Sequence, residues 1–292
     1  MRNEFLALLY GGELFLSASS LFALVAALDL SGAFLKRTRL ERGAALTALL
    51  LFLLGVLSAP PLPLAIALAS AAACAAYLFL GFGADARRRR ILGGLAMIGA
   101  LLVVAAELPY YVRTEPRAMP SRVLVIGDSL SSGGFGEREP WPEVLARESK
   151  IPVTNFALAS ATASMAVERQ LPDLPPPADH REVLLVMIGG NDMVDGTGAG
   201  ELAISLDRIL TTAGAGGRRA TILVEFPLLP GRWAYGAAIR KNARRHRSLL
   251  VPRRVLAHVL LQDGNTFDGI HLTQKGHDAM ARALREWLWR GR

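Results

Sequence analysis

A chain of 292 residues has room for two structural units, and a hydrophobic share of 52% is too high for an average soluble protein. Mean hydropathy of +0.32 predicts membrane segments. Net charge is +8; the lone cysteine, Cys74, excludes an intramolecular disulfide, and the clustered Cys/His spacing of a zinc site is absent.

In chain order, four apolar stretches come first: Phe5–Leu28 (broken only by Glu13), Gly43–Ala59, Leu62–Phe82 and Ile91–Val112, which carries only Glu107. Each has the length, about 17–24 residues, that crosses roughly 30 Å of hydrocarbon. "APPLP" at 59–63 separates the second from the third, because proline breaks helices. The first loop holds Lys36, Arg37, Arg39 and Arg42, and the third holds Arg87 to Arg90, whereas the loop at 59–63 is uncharged. Basic loops stay in the cytoplasm, so the N-terminus and everything after Val112 are expected outside. In a bacterium this places residues beyond 112 in the periplasm or at the exterior. A cleaved signal peptide fits the first stretch less well, since Glu4 stands beside Arg2 and no small-x-small cleavage site follows. Glu13 and Glu107 are expected near the outer helix ends, within reach of interfacial water.

From Pro120 the texture changes. Strands are expected at Arg122–Gly127, Pro152–Phe156, Glu182–Ile188, Ala220–Phe226 and Ser248–Val251. Helices are expected at Pro142–Lys150, Ala161–Gln170, Gly200–Ala213, Trp233–Arg247 and Thr273–Arg290. Near-continuous apolar strands alternating with helices argue for a parallel sheet covered on both faces. The Pro-rich "LPDLPPPAD" at 171–179 reads as a surface loop. The expected division is a four-helix membrane region over 1–112, a connector over 113–120 and an α/β domain over 121–292.

Ligands of open parallel sheets collect at the carboxyl ends of the strands. "GDSL" (127–130) falls at one such end, "GGND" (189–192) at another, and "DGIH" (268–271) precedes the last helix. These residue types suit nucleophilic acyl chemistry. The Ser129 hydroxyl needs an adjacent base, which His271 can supply. Asp268, three residues earlier, can hold the imidazole tautomer, and Asn191 with the Ser129 N–H can meet a developing oxyanion.

"IGDSLSSG", "GGND" and "DGIHLT", in that order, resemble the nucleophile, Asn and Asp-x-x-His blocks of the SGNH (GDSL) hydrolase family, most closely its small thioesterase/lysophospholipase-like members. The resemblance covers the half from Ser121 onward. It implies a flavodoxin-like three-layer α/β fold with a parallel sheet, a Ser129–His271–Asp268 triad, an oxyanion hole from Ser129, Ser160 and Asn191, and no metal or organic cofactor. One block departs from the family. In "NFALASAT" (155–162) Ser160 stands where the family has a glycine whose N–H serves the oxyanion. A backbone donor survives that change, but a positive φ there strains serine.

Other groups read as structural. Asp128 and Asp192 brace turns; His180, His246, His258 and His277 lack motif context; Trp141, Trp287 and Trp289 pack. The basic run from Arg232 to Arg254 reads as a solvated helix face, with attraction to anionic headgroups or an acidic envelope polymer as its rival. The expected function is a serine ester hydrolase anchored in the cytoplasmic membrane, acting outside it on O-acyl or acetyl esters of an envelope glycan or lipid. Partners are then the ester substrate and membrane lipids, with no nucleic acid. The alternatives are an acyltransferase to a sugar hydroxyl, served by a membrane acyl-donor partner, and a catalytically silent assembly protein.

Overall fold

The computed structural model describes residues 2–31, 64–81, 85–111, 119–179, 181–214 and 217–289, together with helical positions 43, 46, 47, 50 and 53. The chain divides into two compact units: residues 12–112 with 229–233, and residues 1–11, 113–228 and 234–292.

In the first unit, helices α2 (Glu13–Leu30), α3 (Leu64–Ala76, continued by a π-helical turn over Tyr77–Gly81) and α4 (Ala86–Glu107) pack together. The buried stripe of α4 is Gly93, Ala96, Ala100 and Val103, at helical spacing. These small residues let the neighbouring helices approach closely. A Cβ at Gly93 would sit 3.4 Å from the Tyr77 ring. Large side chains point outward instead: Leu24, Phe79, Leu95, Ile98 and Leu102 are all more than half exposed. The Asp29 carboxylate at the end of α2 accepts from Tyr77 Oη (2.8 Å) and Arg89 Nε (3.0 Å), while Phe15 and Ala18 at the other end of α2 cluster with Val103. Helices α2 and α4 are therefore antiparallel.

Two helices, Glu13–Leu30 and Ala86–Tyr110, are long and apolar enough to cross a bilayer, and Leu68–Leu80 is a shorter apolar helix. The expected four spans are thus two among the described residues; Gly43–Ala59 lies outside them apart from the isolated positions. The first expected span is also divided. Gly12, at φ 85°, breaks it, and α1 (Arg2–Gly11) groups with the second unit. Glu107 is buried at the end of α4 and has interaction partners, contrary to the expectation of interfacial water.

The second unit holds a five-stranded, all-parallel sheet in the order β2-β1-β3-β4-β5. Its strands are β1 (Arg122–Gly127), β2 (Val153–Asn155), β3 (Glu182–Met187), β4 (Ala220–Val224) and β5 (Leu249–Val251). Strands β1 and β3 are buried almost throughout, which is why they read as unbroken apolar runs. Between the strands come α5 (Ser129–Ser132), α6 (Trp141–Ser149), α7 (Ala163–Met165, continued by a π turn to Gln170), α8 (Gly190–Asp195), α9 (Ala199–Gly214) and α10 (Trp233–Arg245). Helices α11 (Arg253–Leu260) and α12 (Gln274–Leu288) close the chain.

Helix α12 packs on α6 and α11, while α9 packs on α7 and holds α10 through an Asn242 Nδ2 bond to the Ala203 carbonyl (3.1 Å). Helices thus fall into two groups, giving three layers. The core between them includes Trp141, Leu145, Leu124, Ile126 and Leu184, each worth about 1.5–3 kcal/mol on burial. The order 2-1-3-4-5 puts the topological switch point between β1 and β3, whose register pairs Gly127 with Met187. The residues following both strands therefore emerge side by side at one crevice.

Candidate active site

At the end of β1 the chain turns at once into the single-turn helix α5. Asp128 is its cap: Oδ1 accepts from Leu130 N (3.0 Å), and its carbonyl accepts from Ser131 N and Ser132 N. Ser129, 8% exposed, is the first residue of that turn. The tightness of the turn requires Gly127, because a Cβ there would lie 2.6 Å from Ser131 Oγ and 2.8 Å from Ser131 Cβ. Gln170 secures the strand end from behind, accepting from Gly127 N (3.0 Å) and donating to Gly127 O (2.9 Å).

The loop after β2 is fastened to this turn. Asn155 Nδ2 donates to Ser131 O (2.8 Å), and Leu158 N donates to Gly127 O (3.2 Å). Ser160 follows on the surface at φ 58°, so serine here does adopt the left-handed conformation that favours glycine. After β3, Gly189 turns the chain at φ 118°, where a Cβ would meet the Phe226 ring at 2.9 Å. Asn191 Nδ2 then donates to Ala161 O (2.9 Å), and Asp192 Oδ2 accepts from Ala163 N (2.9 Å). The Asn block is thereby clamped to the loop that carries Ser160. One N–H of the Asn191 amide is spent on that clamp, and an amide nitrogen has two.

In the third cluster, Asp268 Oδ1 accepts from Ile270 N (2.9 Å) and His271 N (2.7 Å), and Oδ2 meets His271 Nδ1 at 2.6 Å. The bond from His271 holds the Asp268 carboxyl down to about 2, so it is ionised and Nδ1 carries the proton. Nε2 is then the basic nitrogen. The His271 ring stacks on Phe135 (centroids 4.2 Å, 29°) and lies 5.7 Å from the Phe267 ring. Burial pushes Asp128 up to about 6 despite its backbone hydrogen bonds, and burial likewise raises Asp192.

The structure thus joins Asp268 directly to His271 and ties Asn191 to the Ser160 loop. Among the described residues no hydrogen bond links His271 to Ser129. Phe135, Phe267 and Gln274 were not legible as site residues. Phe135 is one phenylalanine in a glycine-rich loop, and no spacing marks it.

The remaining histidines differ in role. His246 pairs with Asp207 (2.7 Å), and buried His277 accepts from Trp141 N through Nδ1 (3.1 Å); His180 lies outside the described residues. The basic run is not one solvated face. Arg240 is buried against Glu225 (2.8 Å), Arg253 is buried with its N–H on the same carboxylate, and Arg254 covers the Trp287 ring at 4.8 Å. Among the described residues no group of three or more His, Cys, Asp or Glu is placed to hold a metal ion.

A doubly wound parallel sheet with a serine turn and an imidazole–carboxylate pair at its carboxyl edge defines a three-layer α/β hydrolase. Residues 125–279 match the GDSL-like Lipase/Acylhydrolase family, and the chain belongs to that family; it is a serine ester hydrolase. Among solved structures, the psychrotrophic esterase EstA from Pseudoalteromonas sp. is 18% identical over 57% of this chain and 96% of its own, with a TM-score of 0.50. A G-D-S-L family protein from Desulfitobacterium hafniense is 20% identical over 57% of this chain and 99% of its own, with a TM-score of 0.47. No curated protein matches the chain by sequence.

Proposed function

We propose that this protein is a membrane-anchored serine esterase working outside the cytoplasmic membrane, with Ser129 as nucleophile, His271 as base and Asp268 as the group that orients it. The observation that carries the assignment is the 2.6 Å Asp268–His271 bond, which leaves Nε2 as the acceptor nitrogen. In the first step Ser129 Oγ bonds to the ester carbonyl carbon while its proton passes to Nε2. The oxyanion meets the N–H groups of Ser129 and Ser160 and the second N–H of Asn191. Collapse breaks the carbon–oxygen bond to the leaving alcohol, which takes the proton from the imidazolium. Water, deprotonated by His271, then releases the acid and restores the serine. Asp268 keeps the ring in its working tautomer throughout.

Membrane anchoring is supported by the first unit, where the buried stripe of α4 is built of small residues while Leu24, Phe79, Leu95, Ile98 and Leu102 face outward, an arrangement suited to lipid surroundings. Sidedness is supported by chain geometry. The Asp29–Arg89 contact puts the end of α2 and the Arg-rich start of α4 together. That shared end is cytoplasmic by the basic-loop rule, so the start of α2 and the end of α4, where the catalytic unit is attached, face outside. The domains are then a membrane region within 1–112, a connector over 113–120 and a catalytic domain over 121–292, joined by α1. The substrate is an O-acyl or acetyl ester of a lipid or envelope glycan, presented at the membrane.

The test uses full-length protein in detergent with nitrophenyl esters of short and long acyl chains, beside Ser129→Ala and His271→Ala. Loss of turnover in both variants is expected. Equal activity in all three would remove the assignment, and serine labelling without hydrolysis would redirect it to acyl transfer.

A further inference from the structure

His271 stands on the loop between α11 and α12, and its side chain is 26% exposed. Asp268 fixes one ring nitrogen, but a single hydrogen bond leaves the imidazole free to tilt about it. The second restraint comes from the nucleophile side of the crevice. Phe135, six residues after Ser129, lays its ring against the imidazole at 4.2 Å. A stacked contact of this kind resists the tilt that Asp268 permits.

The loop carrying Phe135 is itself closed and fastened. Glu137 accepts from Gly134 N and from Phe135 N, the latter at 2.9 Å. Burial pushes the Glu137 carboxyl up, but the N–H groups of its own residue, Gly134 and Phe135 outweigh it and hold it below the usual carboxylate range. It therefore closes the loop as an anion at neutral pH. One residue further, Arg138 N and Glu139 N both donate to Gln274 Oε1 (2.8 and 3.0 Å), and Gln274 Nε2 returns a bond to Glu139 O (3.2 Å). Gln274 lies three residues beyond His271. The segment leaving the nucleophile and the segment carrying the imidazole are thus pinned at two adjacent points.

We propose that Phe135 and Gln274 are positioning residues that brace His271 against the nucleophile turn, the ring holding the imidazole's tilt and the amide holding the two loops in register. The inference rests on the assignment of His271 as base. It makes the spacing between nucleophile and base a property of this local brace as well as of the sheet.

The experiment compares F135A, F135Y and Q274A with the wild-type full-length protein in detergent, measuring kcat and KM on nitrophenyl butyrate and the rate of fluorophosphonate labelling. Phe135 is 43% exposed, so F135A is expected to fold, and its melting temperature checks this. F135A should lower kcat about three- to tenfold with KM changed less than twofold, and should slow labelling by the same factor. F135Y should restore both, and Q274A should show the same kcat-selective loss. A rise in KM at constant kcat, a wild-type F135A and Q274A, or an F135Y no better than F135A would overturn the brace. H271A separates the two claims: an inactive H271A beside unaffected brace variants removes the brace alone, whereas an active H271A removes the base assignment beneath it.

Discussion

Replacing Asp128 by asparagine separates what the nucleophile turn costs from what it gains. Asp128 is 5% exposed, and burial lifts its carboxyl from 3.8 to about 6. A carboxyl raised on folding holds its proton more tightly in the native state. The stabilisation it contributes is complete below about pH 4 and is lost as pH rises through about 6. At 1.36 kcal/mol per unit, keeping the ionised group buried at pH 8 costs about 3 kcal/mol. Asparagine keeps an oxygen for Leu130 N and removes the charge. The variant should therefore gain up to about 3 kcal/mol at pH 8, about 6–12 °C in a domain of this size, and gain nothing at pH 4. Tryptophan fluorescence melts between pH 4 and 8 read this directly, since Trp141 and Trp289 are buried in the catalytic unit. A stability difference that is absent, reversed or independent of pH would refute the reasoning.

Gly127→Ala should cut kcat at least about 100-fold, since its Cβ displaces the Ser131 side chain and with it the nucleophile turn; ester turnover by folded protein checks this. Ser160→Gly relieves a left-handed serine worth about 1 kcal/mol and restores some unfolded-chain entropy, so its melting temperature should stay level or rise slightly. Ser160→Val, β-branched in the same conformation, should lose more than about 1 kcal/mol. Burial lowers the His277 pKa, so its stabilisation is present above about pH 6.5 and lost as pH falls toward the folded-state value. His277→Ala strands the Trp141 N–H and should cost about 1–3 kcal/mol at pH 8 while flattening the pH dependence of melting below 6.5.

Much of the sheet is legible because its strands are buried on both faces. Val123–Ile126 is an uninterrupted apolar run, and the strand expected around it, Arg122–Gly127, has the bounds of β1. Helix α11 is missed, since a buried arginine and a proline cap disguise its period among the cationic residues around it. The basic run looks solvated from composition alone; Glu225, distant in sequence, is what takes Arg240 and the Arg253 N–H inward. The first apolar stretch looks continuous because Gly11 and Gly12 are not polar, yet Gly12 takes a left-handed φ that ends the helix. Within the site, motif residues are visible because acyl chemistry needs their functional groups. Phe135 and Gln274 act through shape and main-chain contacts, which leave no pattern in the sequence.

The account stands on an ester carbon becoming bonded to one serine oxygen with the help of one imidazole. Peptide mass spectrometry of the fluorophosphonate-treated wild-type protein should find the phosphonyl group on Ser129, with labelling of the H271A protein slowed by at least about 100-fold. An adduct on a different residue, or equal labelling rates in the two proteins, would contradict it.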